Sequence, residues 1–136
     1  MRILLRVYWC FVLLSGCAPS NRVHWDSNEF HQFIDAQQQA AFTPEVIQRG
    51  KQVFLQGPCA MCHTIRGTQA LSRVGPDLTH LGTRKMLAAG IMPNTRGHLA
   101  GWILNPQNLK PGTRMPATIL SSRDLHALLS YLETLK

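Results

Sequence analysis

Cys59-Ala60-Met61-Cys62-His63 is the stretch on which the reading of this chain turns. Cys-x-x-Cys-His is the attachment pattern of c-type haem. Two thiols add across the two vinyl groups of the macrocycle, and two intervening residues let both sulfurs reach one face. The next residue, His63, then falls under the iron as its proximal ligand. A zinc site needs about four ligands, commonly from a second Cys or His pair, and no second pair stands at a matching spacing. A thiol–disulfide redox motif belongs in a βαβ context, whereas the sequence flanking 59–63 reads as helical. Haem attachment is the reading that uses all three residues.

The other cysteines fit the same account. The 136 residues contain four: Cys10, Cys17, Cys59 and Cys62. Arg2 and Arg6 precede an apolar stretch, Val7–Leu14, in the order of an export signal. That stretch is too short to span a bilayer as a helix. Leu14-Ser15-Gly16-Cys17 resembles a bacterial lipobox, in which the cysteine becomes the lipid-bearing first residue. Residues 1–16 are then a lipoprotein signal peptide, Cys17 carries lipid, and Cys59 and Cys62 carry haem. No thiol is left over. The competing reading is a plain secretory signal cut nearby. The lipoprotein reading implies an exported domain, periplasmic or its equivalent, anchored to the bacterial membrane by more than one acyl chain.

Cleavage before Cys17 leaves 120 of the 136 residues, one domain's worth. Without Arg2 and Arg6, the fourteen Lys/Arg become twelve against seven Asp/Glu, a charge of +5. The cations are scattered, and the basic tracts with interleaved aromatics that mark nucleic-acid binding are absent. A modest positive field suits docking on an acidic protein partner, or is ordinary surface charge.

Residues 17–42 show no clear periodicity and read as a tether. Trp25, Phe30, Phe33 and Phe42 make it more aromatic than a pure linker. The folded domain, 43–136, opens with helix-start chemistry: Thr43 as N-cap, Pro44 at the first helical position, Glu45 in the first turn. Val46, Ile47, Gly50, Val53 and Phe54 share one face, and Gly57-Pro58 ends the helix. Ser121 or Ser122 caps a last helix whose face is Leu125, Leu128, Leu129, Leu132 and Leu135. Between them, shorter helices are predicted over Arg84–Ala89 and over Thr95–Leu104, the latter stopped by Asn105-Pro106. No segment alternates with a period of two. The fold class is all-α.

A haem iron held by His63 calls for a second axial ligand. Met115 lies in Pro111-Gly112-Thr113-Arg114-Met115-Pro116, a stiff loop just before the last helix. A thioether there raises the reduction potential relative to a second histidine. Met92, also followed by proline, is the rival methionine, and His80 or His98 the rival histidines. Met61 lies inside the attachment loop and cannot turn over the haem. His24, His31 and His126 read as surface residues.

These residues together resemble the class I (mitochondrial-type) cytochrome c family. The likeness covers about Thr43 to Lys136 and implies three main helices plus short helices around one covalently bound haem. Gly50 and Phe54 match the first-helix contact positions, crossed by the last helix near Tyr131. Gly75-Pro76-Asp77-Leu78 resembles the Gly-Pro-x-Leu after the haem motif. The resemblance implies that the Pro76 carbonyl accepts the His63 Nδ1 proton and that Arg84 lies near a haem propionate. Trp102 donates its indole N–H to a propionate on one reading, and sits in the core with Leu99 and Ile103 on the other.

A nearer resemblance is to the cytochrome domain fused to subunit II of caa-type cytochrome oxidases. It is carried by Cys62–Thr68, Gly75–Leu81, Met92-Pro93-Asn94-Thr95, Trp102 and Lys110-Pro111-Gly112. This chain departs from that pattern in having no room for two membrane helices, and no Cys-x-x-x-Cys pair for copper. The expected function is a lipid-anchored monohaem respiratory cytochrome that carries single electrons, not an enzyme on its own. A terminal oxidase is the expected partner, with a quinol-oxidising complex or dehydrogenase upstream. The rivals are a sensor or peroxidase-like protein with a displaceable Met115, and a fixed haem subunit of a larger complex.

Overall fold

The computed structural model describes residues 39–136. The expected signal peptide, Cys17 and most of the 17–42 tether lie outside the described residues.

Helix α1 (Pro44–Gln56) starts as its sequence predicts. The Thr43 hydroxyl accepts from the Val46 N–H at 3.3 Å, and Pro44 sits where a missing N–H costs nothing. Gly57 leaves the helix in an extended conformation, and Pro58 begins a 3-10 turn, Pro58–Met61. At the other end, α4 (Ser122–Glu133) has Ser121 as its N-cap. The Ser121 Oγ accepts from the Asp124 N–H at 3.1 Å and donates to the Asp124 carboxylate at 2.7 Å. Between them run α2 (Arg96–Leu104), capped by Thr95, and a single-turn α3 (Pro106–Leu109) that the sequence did not announce.

The core is the crossing of α1 and α4. Phe54 and Leu128 are 1 % exposed, and Leu129, Tyr131 and Leu132 are buried with them. The Phe54 and Tyr131 rings meet tilted at 59° with centroids 6.3 Å apart, a favourable aromatic geometry. Gly50 makes the crossing close, since a Cβ there would overlap the Ala127 carbonyl oxygen. Arg49 Nη2 pairs with Asp124 at 2.6 Å, tying the same two helices at their edge. Arg96 joins α2 to α4: it pairs with Glu133 and donates to the His126 carbonyl and the Ser130 hydroxyl, each at 3.0 Å.

The helix predicted over 84–89 is not formed. A 3-10 turn, Leu81–Thr83, leads instead into two short antiparallel strands, β1 (Met86–Leu87) and β2 (Met92–Pro93), with Leu87 opposite Met92. So short a helix carries the nucleation cost without the propagation that offsets it. A distant residue takes its backbone groups. Asn94 donates its side-chain amide to the Leu81 and Arg84 carbonyls at 2.8 and 2.9 Å, and its N–H to the Lys85 carbonyl at 2.9 Å. The turn between the strands holds Ala88 and Ala89 at φ 53° and 63°, left-handed values that alanine rarely adopts. Apart from this pair and one isolated bridge, Thr64 with Leu71, the regular elements among the described residues are helices, and the class is all-α.

Candidate functional site

The Pro58–Met61 turn folds the cysteine motif back on itself. The Cys62 and His63 N–H groups both bond to the Cys59 carbonyl, at 3.1 and 3.0 Å. Both sulfurs and the imidazole thereby face one cavity of about 490 Å³. Its walls are apolar side chains from α1, α2 and α4, including Phe54, Leu99, Ile103, Leu128 and Leu132. Burial pushes the Cys59 thiol above its ordinary value, and the neighbouring Cys62 adds to this.

The segment after the motif sets the imidazole. Ile65 N–H bonds to the Ala70 carbonyl and Leu78 N–H to the Thr64 carbonyl, at 2.9 and 2.8 Å, so the chain doubles back beside His63. Pro76 then presents its carbonyl 2.8 Å from His63 Nδ1. A carbonyl can only accept, so Nδ1 donates this hydrogen bond, and in the neutral ring that leaves the lone pair on Nε2. Gly75 backs the ring: a Cβ there would lie 2.7 Å from His63 Cε1. The Asp77 carboxyl is held below its usual range by the Thr79 hydroxyl and N–H, aided by Arg66.

All seven residues proposed from sequence for this site line the one cavity: Cys59, Cys62, His63, Pro76, Arg84, Trp102 and Met115. Arg84 is exposed and donates to the Asp77 carbonyl oxygen, next to Pro76. Trp102 is only partly buried and faces the cavity together with Leu99 and Ile103. The rival ligands lie elsewhere. Met92 is buried in the strand pair, outside the cavity wall. His80 is exposed, and His98 is also exposed with Nδ1 2.7 Å from the Thr95 hydroxyl.

Sequence reading missed Lys110, Thr113, Arg114 and the Ala88–Gly90 turn as parts of the wall. Lys110 Nζ donates to the Ala88 carbonyl at 3.3 Å, so the Met115 loop and the strand turn close on each other. The Lys110-Pro111-Gly112 pattern marked the loop, but nothing local marks the turn it reaches.

The donor set fits a haem. Two thiols, a tautomer-fixed imidazole and a thioether share one apolar cavity, and only a glycine at position 75 leaves room for the ring. The family model described as Cytochrome c matches residues 47–136. The chain belongs to the cytochrome c family. Its fold is the class I cytochrome c fold, and its cofactor is covalently bound haem c at the Cys59/Cys62 pair.

The cytochrome is similar to proteins named cytochrome c oxidase subunit 2 from three bacteria. It is 39% identical to that of Alkalihalophilus pseudofirmus over 95 residues, 69% of this chain and 27% of the relative. The protein from Bacillus sp. PS3 is 31% identical over 99 residues, and that of Bacillus subtilis 28% over 97. These cover 69% and 68% of this chain, and 27% of either relative. The cytochrome thus spans about a quarter of the length of the curated relatives it matches. Among the described residues, no helix is long and apolar enough to cross a membrane.

Proposed function

We propose that this cytochrome carries single electrons outside the cytoplasmic membrane, with His63 and Met115 as its two axial ligands. The observation that carries the reading is that His63, its tautomer set by Pro76, and Met115 line the same cavity as the cysteine pair. A bound haem c supplies an iron that takes up and gives back one electron. The chain does the rest. The Pro76 hydrogen bond keeps the imidazole from turning and raises its basicity. The Met115 thioether is a soft donor that favours the reduced state. The apolar wall excludes water, and Arg84 and Trp102 offer donors for the propionates.

Cys17 bears lipid and tethers the domain near its partners, which raises their effective concentration. Residues 17–42 are the tether, and 43–136 the cytochrome domain. The electron acceptor is a terminal oxidase, with a quinol-oxidising complex or dehydrogenase as donor. Similarity to proteins named cytochrome c oxidase subunit 2 supports this partner. The sequence Leu14-Ser15-Gly16-Cys17 supports the anchor.

The test is the optical spectrum of the haem-loaded protein, ferric and ferrous, before and after CO. A low-spin spectrum with a far-red sulfur–iron band and no CO response is expected. A high-spin component or rapid CO binding would transfer the protein to the sensor or peroxidase class. Partition of full-length protein into membranes, lost in Cys17→Ser, checks the anchor.

A further inference from the structure

We propose that Gln107 is the positioning residue for the Met115 sulfur. This role rests on Met115 as the sixth ligand and adds what keeps it in place. Gln107 lies on α3 and does not reach the cavity. Its carboxamide grips the ligand loop twice. Oε1 accepts from the Gly112 N–H at 3.0 Å, and Nε2 donates to the Thr113 carbonyl at 2.5 Å. The two contacts fix the amide's orientation, because a flipped amide would set donor against donor and acceptor against acceptor.

The grip matters because Lys110, which reaches the Ala88 carbonyl, holds only the start of the loop, and Met115 lies further along it. Among the described residues, the backbones of Arg114, Met115, Pro116 and Ala117 make no hydrogen bond. The attachments nearest Met115 are Thr113 on one side and Thr118 on the other, whose N–H bonds to the Ile103 carbonyl at 3.2 Å. The Thr113 N–H bonds to the carbonyl of Lys110, the C-cap of α3, at 3.2 Å, and the Lys110 N–H bonds to the Pro106 carbonyl at 2.8 Å. Gln107 is the side chain that ties the near side of Met115 to α3 directly, through both Gly112 and Thr113. That helix is itself fixed, since Pro106 is among the most deeply buried side chains. Thr113 and Met115 both line the cavity, so a shift of the first moves the second.

The experiment compares haem-loaded wild type, Gln107→Ala, Gln107→Glu and Met115→Ala. The readouts are the ferric far-red sulfur–iron band over a temperature series and the rate of CO binding to the ferrous protein. Gln107→Glu keeps an acceptor for Gly112 but turns a second oxygen toward the Thr113 carbonyl. Both Gln107 variants are expected to lose the band at lower temperature and to bind CO about tenfold faster, the scale of one net hydrogen bond. Global unfolding, followed by helical circular dichroism, stays within a few degrees of wild type. If both keep the wild-type band and CO rate while Met115→Ala loses the band, Gln107 has no positioning role and Met115 remains the ligand. If Met115→Ala keeps the band and stays inert to CO, the ligand assignment falls and the Gln107 role with it.

Discussion

The carbonyl of Ala127 occupies the space that a side chain on Gly50 would need. The close crossing of α1 and α4 therefore depends on a missing atom as well as on its favourable contacts. A Cβ at 50 would also come 2.7 Å from the Tyr131 Cβ. A backbone carbonyl inside a helix cannot rotate aside as a flexible side chain can.

Gly50→Ala should lower stability even though alanine is the better helix former. The propensity gain is about 1 kcal/mol at most, against an overpacking cost of about 1–3 kcal/mol or more where backbone must move. Urea unfolding of the haem-loaded protein is expected to show a lower midpoint with an unchanged slope. An equal or higher midpoint would mean the helices separate at no cost.

Asn94 should be sensitive to a change of one atom. Its amide serves the Arg84 carbonyl, which takes no backbone hydrogen bond among the described residues, and adds a second donor to the Leu81 carbonyl, which also accepts the Arg84 N–H across the 3-10 turn. Asn94→Asp sets a carboxylate oxygen against those two oxygens. It should destabilise by about 2 kcal/mol or more, and Asn94→Ala by about 1–3 kcal/mol. Denaturant midpoints above pH 6 measure this, and aspartate tolerated as well as asparagine would refute it.

Acid stability should report on Asp124. The Ser121 hydroxyl first, and then the Arg49 guanidinium, hold its carboxyl below the usual range. A folded value below the unfolded one contributes stability above about pH 4 and loses it as pH falls through the lowered value. Asp124→Asn should be less stable than wild type at pH 6, with the gap closing below pH 4. A gap independent of pH would assign the loss to packing alone.

The helix ends were legible because capping is local. Thr43-Pro44-Glu45, Gly57-Pro58 and Ser121 each carry within three residues the groups that satisfy a helix terminus. The 84–89 segment was misread because its backbone partners belong to Asn94, which no local pattern ties to Leu81 or Arg84. The single turn at 106–109 escaped notice because its four residues carry too little periodicity to register.

The cofactor was written in five consecutive residues, because thioether attachment and proximal ligation are chemistry of near neighbours along the chain. Which methionine faces that cofactor's cavity was only partly so. Met92 and Met115 each precede a proline; the stiff loop just before the last helix put Met115 first, and the tertiary structure shows where each side chain lies. Pairing of β2 with β1 buries Met92 away from the cavity, while α3 and Gln107 hold the Met115 loop along its wall. Sequence alone determined what could bind, since bond formation depends on residue type and short spacing. The tertiary structure decided what faces the site, since that depends on contacts between segments far apart in the chain.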